Sequence, residues 1–290
     1  MMRSTVNAIP ESGAVTSLFV PTPDRCDQHL LRRVHTPPAS VVLRALVSMP
    51  CSLQPGGLRM SSRIEKAPNS KLPYTARELS PREVRDEDVY TYNSPKMGGK
   101  RIRVAKLANL ILALRLEFDP EVESYIERPR QLACDSETYE FSFWFRLKSG
   151  REFLPLLVST GTSEPGASAR RCHRKERQLL EAAERAQLPL KFEFETDLLQ
   201  LGPAFASWLR MLPGVQLASR FKHRGDLRAR ILDVAKRVDR VRISQIIDAL
   251  DGFPPGDVRC VVADLIHAGH LSIDPKSPLT EHLIVKVRSV

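Results

Sequence analysis

The dipeptide Asp119-Pro120 places the strongest constraint on the fold, because proline cannot continue a helix and disfavours helical backbone in the residue before it. Upstream, apolar residues recur every three or four positions from Val104 to Phe118, which predicts a helix with one buried face over residues 103–117. Residues 122–126 follow as a short stretch with strand character. The sequence therefore predicts a helix that stops abruptly and leads straight into a sheet.

The segments around this helix follow an order typical of α/β folds. Ser80-Pro81-Arg82-Glu83 has the pattern of a helix cap and predicts a short helix ending near Asp88; residues 92–101 form a turn-rich basic loop. After Pro120 we predict strands over residues 131–133, 139–147, 152–159 and 190–195, a hairpin turn at 148–150, and helices over 172–186 and 203–211. Helix, antiparallel hairpin, helix and strand is an order compatible with a restriction-endonuclease-like core.

The last part of the chain has a different pattern. Three closely spaced helices begin near residue 225, and residues 269–274 and 282–287 follow as two strands, which is typical of a winged helix. We therefore divide the chain into three parts. These are a proline-rich extension over 1–75, an α/β endonuclease-fold domain over 76–218 and an α+β winged-helix domain over 219–290.

The extension contains too many prolines for long helices or a packed sheet, and we expect it to be disordered. The same composition would also result from a start codon assigned too far upstream. In that interpretation, the native protein begins at Met60 rather than at Met1.

The composition favours nucleic acid as a partner and disfavours membranes. A formal net charge of +10 attracts polyanions, and no apolar run approaches the roughly 20 residues that a membrane span needs. The five cysteines include no C-x-x-C pair, which favours reduced thiols in the cytosol over a structural zinc site. We expect a cytoplasmic protein that binds DNA.

Three features occur in the order typical of the TnsA family, the endonuclease subunits of heteromeric cut-and-paste transposases. They are Ser94-Pro95-Lys96-Met97-Gly98-Gly99, then Leu116-Glu117-Phe118-Asp119-Pro120 with Tyr125 and Pro129, and last the winged helix. The chain resembles this family over residues 80–290. The resemblance implies an endonuclease fold that cuts one DNA strand at transposon ends, with a DDE-type transposase subunit and an AAA+ regulator as partners.

Nucleases of this kind need carboxylates that hold Mg²⁺ and a lysine beside the attacking water. The resemblance places these groups on the first helix and on the two hairpin strands, where this chain has Ala105, Asn109, Ser142, Leu157 and Ser159. None of these side chains can offset a divalent charge. We therefore expect a catalytically inactive subunit that needs no cofactor.

Two other interpretations stay open. An active nuclease would use displaced carboxylates to hold Mg²⁺, and the candidates near the hairpin are Asp135, Glu137, Glu140 and Glu152. Among these, Glu140 stands two residues from Ser142 and would share its face of the strand. The chain would alternatively be a winged-helix regulator that binds one short operator.

Three basic clusters are candidates for DNA contact. They are Lys96, Lys100 and Arg101 in the first loop; Arg170, Arg171, Arg174 and Lys175 at the predicted helix start; and Arg220, Lys222 and Arg224 before the winged helix. The third helix of the winged helix has little net charge, since Asp257 and Asp264 accompany Arg259. A helix that reads base edges usually offers Arg, Lys, Asn or Gln, so we expect this domain to dock a protein partner.

Overall fold

A computed structural model describes residues 72–165, 171–238 and 240–288. The expectations for residues 1–71, including the alternative start at Met60, lie outside this part of the chain, and so does the candidate Arg170. The described part has a mixed α/β architecture, as the sequence predicts.

The first helix, α1, spans Pro81–Asp86 and begins with the predicted cap. The backbone N–H of Glu83 donates to Oγ of Ser80 at 3.2 Å, and the Glu83 carboxylate accepts from the N–H of Ser80 at 2.9 Å. This reciprocal pair satisfies two N–H groups that the start of a helix leaves without partners. The cap prediction is confirmed.

The strands of a β-hairpin contain half of the predicted basic loop. Strands β1 (Val89–Ser94) and β2 (Lys100–Ala105) pair antiparallel, and only residues 95–99 form the turn between them. The predicted helix start at residue 103 is wrong, because Val104 and Ala105 belong to β2 and pair with β1. Ala105 therefore lies on a strand and not on the helix where the resemblance placed it.

Helix α2 spans Leu107–Phe118 and ends as predicted, with Asp119 as its C-cap. The prediction of a single buried face is wrong for this helix. Its apolar residues from Leu110 to Leu114 are all buried, because the sheet covers one side and later helices cover the other. A helix that is apolar on all sides belongs in the centre of a protein.

The central sheet has four strands in the order β10-β7-β6-β3. They are β3 (Val122–Glu127), β6 (Phe143–Leu147), β7 (Glu152–Val158) and β10 (Leu190–Phe194). The pairs β3–β6 and β6–β7 are antiparallel, whereas β7 and β10 are parallel. The parallel step needs a crossover connection, which contains helix α3 (Glu176–Arg185).

One predicted element of this region is divided in the structure. The strand predicted over 139–147 is split, since β4 (Gln131–Cys134) pairs with β5 (Glu137–Glu140) in a separate hairpin. A bend at residue 142 then leads into β6, so the shared strand face assumed for Glu140 and Ser142 does not exist.

The basic segment before α3 also differs from the prediction. Strand β9 (Arg171–His173) pairs with β8 (Ser163–Pro165), and α3 begins only at Glu176. Arg171 and Arg174 therefore precede the helix rather than occupying its first turn.

Helix α5 (Gly202–Ala218) follows a short helix, α4 (Glu195–Leu199), and runs well beyond the predicted end at residue 211. Pro213 lies inside it and removes one helical N–H donor. Burial of Leu212, Val215 and Ala218 against the core offsets that loss, so tertiary packing overrides the local signal.

The remaining elements form three helices and a small sheet. The helices are α6 (Arg224–Arg237), α7 (Ile243–Ala249) and α8 (Pro255–His267). Strands β11 (Val241–Arg242), β12 (Leu271–Ile273) and β13 (Ile284–Val287) pair antiparallel in the order β11-β13-β12. The hydrophobic core continues across the predicted boundary at residues 218/219, since α8 packs on α5 and α2.

Gly269, which follows α8, packs closely against Pro120, which follows α2. Its φ is +80°, and a Cβ at this position would lie 2.4 Å from Cβ of Pro120. Gly269→Ala should lower the free energy of unfolding by about 2–4 kcal/mol, because left-handed strain and overpacking add. Urea denaturation measures the change. Gly256→Ala in α8 is the matched control, since its Cβ would meet open space; equal losses in both variants would contradict the close contact.

Candidate functional site

The positions that the resemblance assigns to nuclease chemistry are filled by bonded or apolar groups. In α2, Nδ2 of Asn109 donates to the backbone carbonyl of Ala105 at 2.9 Å. Leu157 in β7 is half-buried against the core and lies in register with Glu193 of β10. Ser159 is exposed just after β7, with its hydroxyl 3.1 Å from that of Thr162.

The remaining position, Ser142, has a structural role through its backbone. Its N–H donates to the carbonyl of Pro155 at 2.9 Å, and its carbonyl accepts from the N–H of Arg128 at 2.9 Å. Ser142 therefore continues the hydrogen bonding of β3, β6 and β7 beyond the strand ends. Together, these five positions offer no carboxylate and no amine to a metal or a water molecule.

The glutamates proposed as displaced ligands each face a cation. Glu152 binds Arg146 at 2.7 Å and accepts from Nε1 of Trp144 at 3.0 Å. The other two form ion pairs in the same way: Glu137 with Lys175 at 2.7 Å, and Glu140 with Arg77 at 2.9 Å. Asp135 lies in the turn of the β4–β5 hairpin. Among the described residues, no group of three or more His, Cys, Asp or Glu side chains is placed to hold a metal ion.

The sequence interpretation missed a buried carboxylate, Glu193, on the edge strand β10. It lies 2.6 Å from Arg115 of α2 and 2.9 Å from Lys191. Burial alone would raise the pKa of Glu193, but the hydrogen bond and charge of Arg115, followed by those of Lys191, lower it overall. Glu193 therefore stays ionised as a structural anion that joins α2 to the sheet.

The motif residues of the resemblance meet at a second buried carboxylate, Glu117 near the end of α2. Its exposure is 0%. One oxygen accepts from Oγ of Ser94 and from the hydroxyl of Tyr125, both at 2.5 Å. The other accepts from the N–H of Lys96 at 2.9 Å and lies 2.7 Å from Nε2 of His267. The 95–99 turn, β3 and α8 thus converge on one side chain, which we call the Glu117 junction.

Hydrogen bonding keeps the junction carboxylate ionised. Burial would raise the pKa of Glu117, but the bond to His267, helped by Ser94 and Tyr125, lowers it below its ordinary value. His267 comes from a helix 150 residues further along the chain. No local sequence pattern identifies His267 as a partner of Glu117.

Lys96, one of the predicted DNA-contact residues, belongs to the same junction. Its ammonium donates to the carbonyls of Leu116 at 2.9 Å and Asp119 at 2.5 Å at the end of α2. The Leu116 carbonyl lacks a helical partner because Pro120 has no N–H. Burial lowers the pKa of Lys96 to about 8. The structure therefore uses this lysine to cap a helix.

A cleft next to the junction separates the turn of the first predicted basic cluster from the corner that carries the third cluster. Its volume is about 510 Å³. Gly98 and Gly99 of the 95–99 turn form one wall, and Arg220 and Arg224 at the α5–α6 corner form the other. Nε2 of Gln216 donates to the carbonyl of Asn93 at 2.7 Å and ties the two walls. We call this space the turn–corner cleft.

The predicted basic residues differ in how far they are engaged within the chain. Arg224 binds Asp264 at 2.8 Å, Lys175 binds Glu137, and Lys100 lies 3.8 Å from the buried Glu127. The others are exposed and make no ion pair with any described residue: Arg101, Arg171, Arg174, Arg220 and Lys222. Arg171 lies in β9 and Arg174 directly after it, and neither residue lines the cleft.

Comparison with known proteins adds no assignment, since neither a protein-family model nor a curated protein matches this chain. Within the described part of the chain, no helix is long and apolar enough to cross a membrane.

The junction carboxylate should be worth a large share of the stability. Glu117→Gln removes the charge and turns an amide N–H₂ toward groups that donate, so the free energy of unfolding should fall by about 3 kcal/mol in urea denaturation. Glu121→Gln is the matched control, because this carboxylate is 61% exposed and should change stability by less than about 0.5 kcal/mol. Similar small effects in both variants would contradict a stabilising junction.

Lys96 should give stability a distinctive alkaline dependence. The folded state releases this proton near pH 8, whereas an unfolded lysine holds it until about 10.5. Between these values the unfolded state binds more protons, so this group makes the protein more stable as pH rises. Stability measured at pH 7.5 and 9.5 should therefore rise for the wild type relative to Lys96→Met. A difference that does not change with pH would show that the ammonium is not desolvated.

Proposed function

We propose that this chain is a catalytically inactive subunit of a cut-and-paste DNA transposition system, similar to TnsA. In this proposal a restriction-endonuclease-like core and a winged helix contact transposon-end DNA and partner proteins without cutting DNA. The resemblance names the partners as a transposase subunit and an AAA+ regulator. Such a subunit would act in the cytoplasm and need no metal cofactor.

The topology of the central sheet supports the first half of this proposal. A helix, α2, leads into a three-strand antiparallel meander, and the crossover through α3 adds β10 parallel to β7. That order is compatible with the restriction-endonuclease-like core predicted from the sequence. The later order of three helices followed by β12 and β13 is likewise compatible with a winged helix.

The observation that most strongly supports an inactive subunit is the chemistry of the five positions that the resemblance assigns to catalysis. Asn109 is bonded to the backbone, Leu157 packs in the core, and Ser142 extends the sheet through its backbone. Glu137, Glu140 and Glu152, the nearby displaced candidates, are each held by a lysine or arginine. These pairs are partly exposed and cost little to break, so the stronger argument is that, among the described residues, these carboxylates do not converge into a group that could hold a metal ion.

Helix α8 supports a partner-docking role for the C-terminal helices over base reading. Its charged side chains are all engaged inside the chain. Asp257 lies 3.2 Å from His223, and Arg259 pairs with Glu281. Asp264 binds Arg224 and Arg228, and His267 reaches Glu117. A helix that specifies sequence needs such groups directed at base edges.

The test measures binding and cleavage on the same preparation of the full chain. Fluorescence anisotropy with a labelled 30-base-pair duplex of arbitrary sequence should show binding that weakens steeply with salt, because phosphate contacts release counterions. Gel analysis of intact and nicked duplex should show no strand cleavage with Mg²⁺ or Mn²⁺.

Two results would contradict the proposal. Metal-dependent cleavage that is lost in Glu152→Gln or Glu140→Gln would identify an active nuclease with displaced carboxylates. Failure to bind any duplex at low salt would remove DNA as a partner. Tight binding confined to one short sequence would instead favour the regulator interpretation.

A further inference from the structure

We infer that the turn–corner cleft is the place where the phosphodiester backbone of DNA contacts this protein. This inference rests on the proposed function and specifies where its DNA contact lies. The lining of this cleft includes none of the degenerate nuclease positions.

The charges around the cleft favour an anion. Its acidic lining residue, Asp264, is 2% exposed and lies between Arg224 at 2.8 Å and Arg228 at 3.1 Å, so its charge is more than compensated. The nearby Glu117 is fully buried and accepts from His267 and the 95–99 turn. Arg220 adds a positive charge that no described acid neutralises.

A second arginine without an ion pair among the described residues lies in the hairpin that carries the 95–99 turn. Arg101 is exposed in β2 and stands directly opposite Asn93 of β1. Cross-strand partners of an antiparallel pair share one face, and Asn93 lines the cleft. Arg220 lines the cleft itself, and Arg101 lies beside it on the strand face of Asn93, where a duplex seated in the cleft would also meet its charge.

The turn leaves space for a close approach of a ligand backbone. Gly98 and Gly99 have φ of +66° and +86°, and a Cβ at either residue would meet nothing within 4 Å. Their amides already donate to the carbonyls of Pro95 and Ser94. The contacts to phosphate therefore come from the arginine side chains, and the glycines keep the path open.

Hydrogen bonds fix the two walls of the cleft relative to each other, which favours the binding of a rigid polyanion. Gln216 bonds to Asn93 across the cleft, and the Glu117 junction holds α8 to the same turn below it. Arginines mounted on a rigid frame lose less freedom on binding than those on a loose loop. The cleft lining contains no Phe, Tyr or Trp ring for base stacking, and its imidazole, His267, is bonded to Glu117, so the contact is with the backbone and independent of sequence.

Removing the two arginines together provides the test. Arg101→Gln/Arg220→Gln in the full chain should weaken binding to the 30-base-pair duplex by about 30-fold at 0.15 M salt, since each lost phosphate contact removes about 0.9 from the slope of log K against log salt. The slope itself should fall by about 2. Arg101→Lys/Arg220→Lys keeps both charges and should retain most of the affinity.

The matched control removes two exposed arginines elsewhere. Arg171→Gln/Arg174→Gln should change the affinity less than threefold. All variants should keep the wild-type melting temperature, because these four arginines make no ion pair with a described residue.

An equal loss of DNA affinity in both double variants would show that binding depends only on net charge, and it would overturn the inference. Loss confined to Arg171→Gln/Arg174→Gln would move the DNA contact to the β9 side. In both cases DNA binding by the wild type, and with it the proposed function, would still stand. A wild type that binds no duplex would overturn both.

Discussion

The described structure depends on the hydrogen bonds made to the buried carboxylate of Glu117. A carboxylate removed from water is stable only where several donors replace its hydration, and here they come from the 95–99 turn, β3 and α8. These elements cannot move apart without leaving a charge unbalanced in a medium of low dielectric constant. One side chain therefore fixes how the first hairpin sits against the last long helix, and with it the shape of the turn–corner cleft.

Charge pairing explains how a basic protein can be both stable and selective in what it contacts. Near the central sheet, acids and bases neutralise each other, as with Glu193 and Arg115 or Glu152 and Arg146. Positive charge that can act on a ligand then remains only where no acid lies close. The net charge of +10 by itself does not say where the available cations lie.

Local chemistry made much of the fold predictable from the sequence. The Ser80 cap, the stop at Asp119-Pro120 and the turn at 148–150 depend on neighbouring residues, and all three occur in the structure. The errors arose where contacts with residues distant in sequence determine the local structure. Val104 fits a helical pattern but pairs with β1. Helix α5 continues past Pro213 because it is packed against the core. The cleft and the Glu117 junction were missed for the same reason, since residues far apart in sequence form both.

The distance along the chain between Glu117 and His267 has a consequence for synthesis on the ribosome. About 150 residues must be translated after the carboxylate before its imidazole partner exists. Domains fold from the N-terminus as they emerge, at some 5–20 residues per second, so the nascent α/β part waits on the order of ten seconds with this acid incompletely bonded. The Glu117 junction is therefore completed late, when α8, one of the last helices to leave the ribosome, supplies His267.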